Sequence, residues 1–194
     1  MTAVLSEKQG RRLLQLARQV LEEQFGGPSS EQEGLDEPEL RQHRGIFVTL
    51  RKQDQLRGCI GSLLGVEPLV EGVRRHTINA AFHDHRFPLL TAEELPQVRI
   101  EISVLTSPQP LEYFDGHDLL CKLRPKIDGV IIKQGRTGAT FLPQVWHELP
   151  EPQLFLEQLC RKAGLPSASW RSGELTVQTY QALRVAEEEL SCWN

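Results

Sequence analysis

The sequence predicts an α+β fold, a mainly antiparallel sheet with flanking helices, in a single domain spanning residues 1–194. Three observations carry that expectation. Segments of strand composition come as neighbouring arms joined by short polar or glycine turns, as in Gly129-Val130-Ile131-Ile132-Lys133 and Thr137–Leu142 around Gly135-Arg136. Val98, Ile100, Ile102 and Val104 alternate with Arg99, Glu101 and Ser103, the period of a sheet with one wetter face, which Glu101 shares. Helical stretches are interleaved among these strands without the regular strand and helix alternation of a parallel sheet.

The elements follow in order. Ser6-Glu7-Lys8-Gln9 is a capping-box pattern, and Leu13, Leu14, Leu16, Ala17, Val20 and Leu21 fit one helical face, so a helix is expected from Glu7 to Gln24. Residues 26–38 turn to Gly, Pro, Ser and acids with a single Leu35 and read as an exposed loop or linker. Gly45 to Arg51 has strand composition, Lys52-Gln53-Asp54 supplies a polar turn, and the following segment is the second arm of a hairpin. Pro68 suits a helix first turn, with Leu69, Val70, Val73, Ile78, Ala80 and Ala81 forming an apolar stripe up to His83. Beyond the Val98–Leu105 strand, Asp118 to Leu123 reads as a short helix stopped by Pro125, and Glu151 to Ala163 as a helix stopped by Gly164. Thr176 to Leu183 reads as one late strand, and residues 185–194 as a C-terminal tail without a clear period.

Composition narrows the function classes. A net charge of −4 with acids and bases interspersed lacks the basic footprint that a phosphate backbone requires, so nucleic acid is not an expected partner. There is no basic start followed by an apolar h-region, nor a long apolar run, and a soluble cytoplasmic protein without a membrane partner is expected. Cys59, Cys121, Cys160 and Cys192 are scattered without a Cys-x-x-Cys pair, which disfavours structural zinc and suits free thiols.

The segment Gln55-Leu56-Arg57-Gly58-Cys59-Ile60-Gly61-Ser62 is where chemistry is expected. A free thiol is only about 3% thiolate at neutral pH, and a fixed cation nearby favours the reactive form. In an extended strand Arg57 and Cys59 share a face, which makes Arg57 the expected activator of a Cys59 nucleophile. Gly58 and Gly61 are expected to take positive φ and bare their backbone N–H groups to a developing oxyanion. The plainer alternative is a packed strand ending in a turn, with cysteine as a small apolar filler.

Two further segments invite a role. Phe82-His83-Asp84-His85-Arg86-Phe87-Pro88 offers a metal site, a histidine base for Cys59, or an Asp84–Arg86 pair that clamps a carboxylate or phosphate; the alternative is a surface loop pinned by that ion pair. His-x-His alone lacks the further ligands zinc needs, so neither metal nor cofactor is expected. In Thr140-Phe141-Leu142-Pro143-Gln144-Val145-Trp146, Gln144 is a candidate for orienting a ligand, and Trp146 either lines a cleft or caps the core.

Taken in order, Leu56-Arg57-Gly58-Cys59-Ile60-Gly61, Asp84-His85-Arg86-Phe87-Pro88, Glu93-Glu94-Leu95-Pro96, Glu101-Ile102-Ser103-Val104-Leu105, Asp128-Gly129 and the segment from Thr140 to Trp146 resemble the AMMECR-type domain family. The chain looks in particular like the bacterial branch called AmmeMemoRadiSam system protein A, whose members are encoded beside a Memo-like protein and a radical SAM protein. The resemblance implies a two-lobed α+β domain and those two proteins as partners, and it brings no settled activity. His85 departs from it, since bacterial relatives have proline between the Asp and the Arg, and His83 lies outside the motif. The expected site is therefore Cys59 and Arg57 as catalytic pair, with Gly58, Gly61, Asp84, Arg86 and Gln144 binding a small-molecule substrate. The competing expectation is a non-catalytic module that holds a peptide or partner protein in the same groove.

Overall fold

Local chemistry sets the first elements of the computed structural model, which describes residues 5–29 and 33–187. The Ser6 hydroxyl accepts from the Gln9 N–H at 3.2 Å while the Gln9 side chain accepts from the Ser6 N–H at 2.8 Å, closing the capping box that starts α1, Glu7–Gln24. β1, Ile46–Lys52, turns back through Gln53 and Asp54, whose φ values of 50° and 61° give the hairpin turn its twist, into β2, Gln55–Ser62. α2, Leu69–Phe82, and β3, Val98–Leu105, follow.

The chain divides into two compact units, Met1–Leu105 with Leu183–Asn194, and Thr106–Ala182. In the second, β4 is the short Gln109–Pro110, and α3, Gly116–Lys122, is capped by Asp115, whose carboxylate accepts from the Asp118 N–H at 2.9 Å. β5, Gly129–Gln134, and β6, Thr137–Phe141, form a hairpin with Gly135 at φ 58°; α4, Pro152–Lys162, and β7, Thr176–Tyr180, complete the unit, whose strand order is β4-β7-β5-β6. Trp146 is fully buried here, stacked on Phe155 at 3.7 Å with its indole N–H donating to the Asp128 carbonyl at 2.7 Å, so it belongs to the core and lines no cleft. β8, Ala182–Ala186, joins the first unit's sheet in the order β2-β1-β3-β8. The single strand expected over Thr176–Leu183 is thus two strands, divided at Gln181 and given to two sheets.

In the first unit α1 and α2 cover one face of the sheet, where Val48, Leu50, Ile100 and Ile102 are fully buried with Leu13, Leu16, Leu21 and Val73. Each such side chain contributes about 1.5–3 kcal/mol relative to exposure. Of the 185–194 tail, Val185 to Glu187 are described and residues 188–194 lie outside the described residues, Cys192 among them. Among the described residues, no helix is long and apolar enough to cross a membrane.

Candidate functional site

One irregularity in the β1–β2 hairpin decides where the thiol points. Lys52 pairs with Gln55 and Arg51 with Leu56, but Leu50 pairs with Gly58, so Arg57 is an extra residue bulged out of the ladder. Without the bulge, Cys59 would face Val48 and the helix-covered core; with it, Cys59 lies opposite Thr49, on the sheet face that also carries Glu101. There the Thr49 hydroxyl donates to Cys59 Sγ at 3.3 Å, and Cys59 is only partly buried. On the same face Glu101 accepts from Arg51 at 2.7 Å and Arg184 at 2.9 Å; burial pushes its carboxyl up, and the two guanidiniums more than offset that, leaving it low.

β2 is an edge strand, and its outward peptide groups at Cys59 are met by side chains instead of a further strand. The Asp84 carboxylate accepts from the Cys59 N–H at 2.8 Å, and Arg86 Nη2 donates to the Cys59 carbonyl at 3.2 Å. The two clamp residues also hold each other, Arg86 Nε and Nη2 reaching Asp84 at 2.9 and 2.7 Å. Asp84 is buried and the Arg86 side chain is 58% exposed. The Arg86 hydrogen bonds, with those from the Cys59 and Arg86 N–H groups, outweigh burial and hold the Asp84 carboxyl far below the usual carboxylate range. In return Asp84 raises Arg86, to which attraction from Cys59 adds.

Arg57 does not share a face with the thiol, because the bulge keeps it on the side of Lys52. Its guanidinium is buried, with Nη2 donating to Glu94 at 2.8 Å and to the Leu89 carbonyl at 3.2 Å, and Lys52 reaches the same carboxylate at 3.0 Å. Arg57 chiefly, against opposing burial and with help from Lys52, lowers Glu94 to about 2. This ion cluster pins the segment that follows α2 to the hairpin, so Arg57 positions the strand and the cation bordering Cys59 is Arg86.

The glycines also differ from expectation. Neither Gly58 nor Gly61 has positive φ. A Cβ on Gly58 would lie 2.1 Å from the Ala80 carbonyl oxygen of α2, and one on Gly61 would lie 2.2 Å from the Ile46 carbonyl, so both are glycine for close packing. The Cys59 N–H is already given to Asp84 and is not free for a developing oxyanion. His83 and His85 are exposed, and no group of three or more metal-ligating side chains occurs among the described residues. Gln144 belongs to the second unit, exposed on the 3-10 helix Pro143–His147, and the first unit's site is built from its own residues.

Sequence reasoning passed over Thr49 and Glu94. Thr49 carried no signal, since counting back from the turn pairs it with Gly58. Glu94 stood inside the Glu93-Glu94-Leu95-Pro96 motif, and its charge opposite a buried Arg57 was the available clue.

The sequence model of the AMMECR1 family matches residues 14–185. A protein of Methanothermobacter thermautotrophicus is 40% identical over 182 residues, covering 93% of this chain and 95% of its own, and one of Thermofilum pendens is 38% identical over 190 residues, covering 92% and 89%. The crystal structure of the uncharacterized protein PH0010 from Pyrococcus horikoshii is similar at a TM-score of 0.82 with 33% identity, over 95% of this chain and 94% of that one.

Proposed function

The chain belongs to the AMMECR1 family, and from that premise we propose a cysteine-dependent enzyme acting on a small anionic molecule, with Cys59 as the reactive thiol. The observation that carries the reading is the bulge that turns Cys59 out of the core to a face where a hydroxyl donates to its sulfur and the exposed Arg86 lies alongside. Attack of that sulfur on a carbonyl carbon moves charge to the carbonyl oxygen, and the exposed Arg86, held at the Cys59 peptide, is the donor this reading assigns to it. Asp84 positions Arg86 and the Cys59 peptide together. The motif resemblance extends the proposal to a place in the AmmeMemoRadiSam system, in the cytoplasm, beside a radical SAM protein and a Memo-like protein.

The Asp84 clamp on the Cys59 peptide also suits a second reading, a non-catalytic module for a peptide or partner protein in which Cys59 only fits the strand. Peptide-resolved alkylation at pH 7 separates the two. The enzyme reading expects native Cys59 to label faster than the same residue in the urea-unfolded chain, and Cys59→Ser to abolish the activity of the reconstituted three-protein system. Slower labelling in the native chain, together with unchanged activity of Cys59→Ser, leaves the binding module.

A further inference from the structure

The second unit carries a thiol with a partner of its own, apart from the Cys59 site. Cys121 is exposed on α3, and its Sγ lies 3.9 Å from His117 Nε2, one helical turn earlier. His117 in turn lines an open groove of about 360 Å³ with Asp115, Gly116, Leu120, Trp170 and Arg171, a size within the range of small-molecule sites. The groove's chemistry is mixed. Leu120 and the Trp170 ring give it an apolar wall, and the exposed Arg171 guanidinium lies over that ring at 4.8 Å, reaching Glu157 only at 3.7 Å. Gly116 keeps the floor open to Trp170, because a Cβ there would stand 2.9 Å from the indole. The Asp115 carboxylate is committed to capping α3, and Asp118 to Lys122 at 2.8 Å. Gln153, which also lines the groove, donates to Glu157 at 3.1 Å, so Arg171 and His117 are the groups left to meet an anion, and the thiol is joined to the groove through His117.

We propose that Cys121, with His117 as its base, forms a mixed disulfide with an anionic low-molecular-weight disulfide, whose retained half lies in the groove with a carboxylate toward Arg171. The His117 imidazole takes the Cys121 proton, and Sγ attacks one sulfur of the incoming disulfide. A new S–S bond forms as the old one breaks, and the other half leaves as a thiolate that takes up the proton. Cys121 is oxidised, the departing half is reduced, and no further oxidant enters. Cys160, by contrast, is buried in the same unit, where burial pushes its thiol up and leaves it in the protonated, inert form.

The test uses the full chain with oxidised glutathione as the anionic probe and cystamine as a cationic one, adducts being located by digestion and mass spectrometry. Cys121 is expected to carry an adduct whose rate at pH 7 falls about tenfold in His117→Gln, the gap closing at alkaline pH where hydroxide replaces the base. Arg171→Gln is expected to slow oxidised glutathione several-fold and leave cystamine unchanged. An unaltered circular dichroism spectrum for each variant keeps the comparison to folded protein. Absence of a Cys121 adduct overturns the proposal, as do rates indifferent to both substitutions or a His117→Gln deficit that persists at every pH. None of these outcomes depends on Cys59.

Discussion

Replacing Asp84 with alanine removes an acceptor that four donors share, the N–H groups of Cys59 and Arg86 and the Nε and Nη2 of Arg86, and the cost follows from which of those donors can find water. The Arg86 side chain is 58% exposed, so its Nε and Nη2 rehydrate and add little. The Cys59 N–H, 2.8 Å from a carboxylate that is 4% exposed, loses a charged acceptor in a shielded position. A lost hydrogen bond to a charged group is worth about 1.5–3 kcal/mol, and the shielding of that carboxylate keeps the whole effect near the upper figure. Asp84→Asn retains one acceptor oxygen and loses the charge, so about half that loss is expected. With a urea slope of about 2 kcal/mol/M, Asp84→Ala lowers the midpoint by about 1–1.5 M and Asp84→Asn by about half as much, the slope itself unchanged. The carboxyl is depressed in the folded state, so its contribution is complete above the unfolded-state value and is lost as pH falls through the folded one. The deficit of Asp84→Asn relative to wild type therefore shrinks in strong acid. A midpoint shift below about 0.3 M for Asp84→Ala, or a deficit that does not change with pH, refutes the idea that this carboxylate holds the edge strand.

Three other perturbations follow from the same packing. Gly58→Ala places a methyl 2.1 Å from the Ala80 carbonyl oxygen and is expected to destabilise by about 1–3 kcal/mol in urea titration, with a perturbed amide spectrum in α2. Glu94, at about 2 in the folded chain, stabilises above its unfolded value and loses that contribution as pH falls toward 2. Thermal melts at pH 7 and pH 2.5 should show Glu94→Gln well below wild type at the first and close to it at the second. Trp146→Phe leaves the Asp128 carbonyl without its 2.7 Å donor and a void beside Phe155, so a loss of about 1–3 kcal/mol is expected by denaturant unfolding.

Sequence legibility tracked how local each cause was. The α1 boundaries are readable because Ser6 and Gln9 satisfy each other across one turn, and the β1–β2 hairpin because Gln53-Asp54 sits between two strand-like arms. The α+β class and the antiparallel pairing needed nothing more. Of the candidate site, the joining of Cys59 to the Asp84–Arg86 pair is what the structure shows of the residues singled out together, and its geometry was not legible. Alternation assigns faces only in a ladder without insertions, and the bulge at Arg57 inverts the assignment for every later residue of β2. Nothing in Arg57-Gly58-Cys59 announces the bulge; it arises where Gly58 packs against the α2 backbone and Arg57 reaches Glu94, contacts set by residues more than twenty positions away. The division of Thr176–Leu183 was hidden for a related reason, since two consecutive strands of similar composition differ only in which sheet they join.

The return of the chain in β8 has a consequence for synthesis. As the polypeptide leaves the ribosome, β1, β2 and β3 are available early, yet the outer edge of β3 waits for a strand that does not emerge until residue 182. Throughout that interval the nascent first unit carries an open strand edge able to recruit another chain. The intervening segment closes its own neck, the Thr106 N–H donating to the Gln181 carbonyl and the Gln181 N–H to the Thr106 hydroxyl, both at 2.8 Å. Folding of residues 106–182 therefore draws the two ends of a long excursion together before β8 docks, which turns a costly closure into a short one. Translation stalled between residues 105 and 182 would expose the chain at its most aggregation-prone, and slowed folding of the inserted unit would be felt first as misassembly of the unit that preceded it.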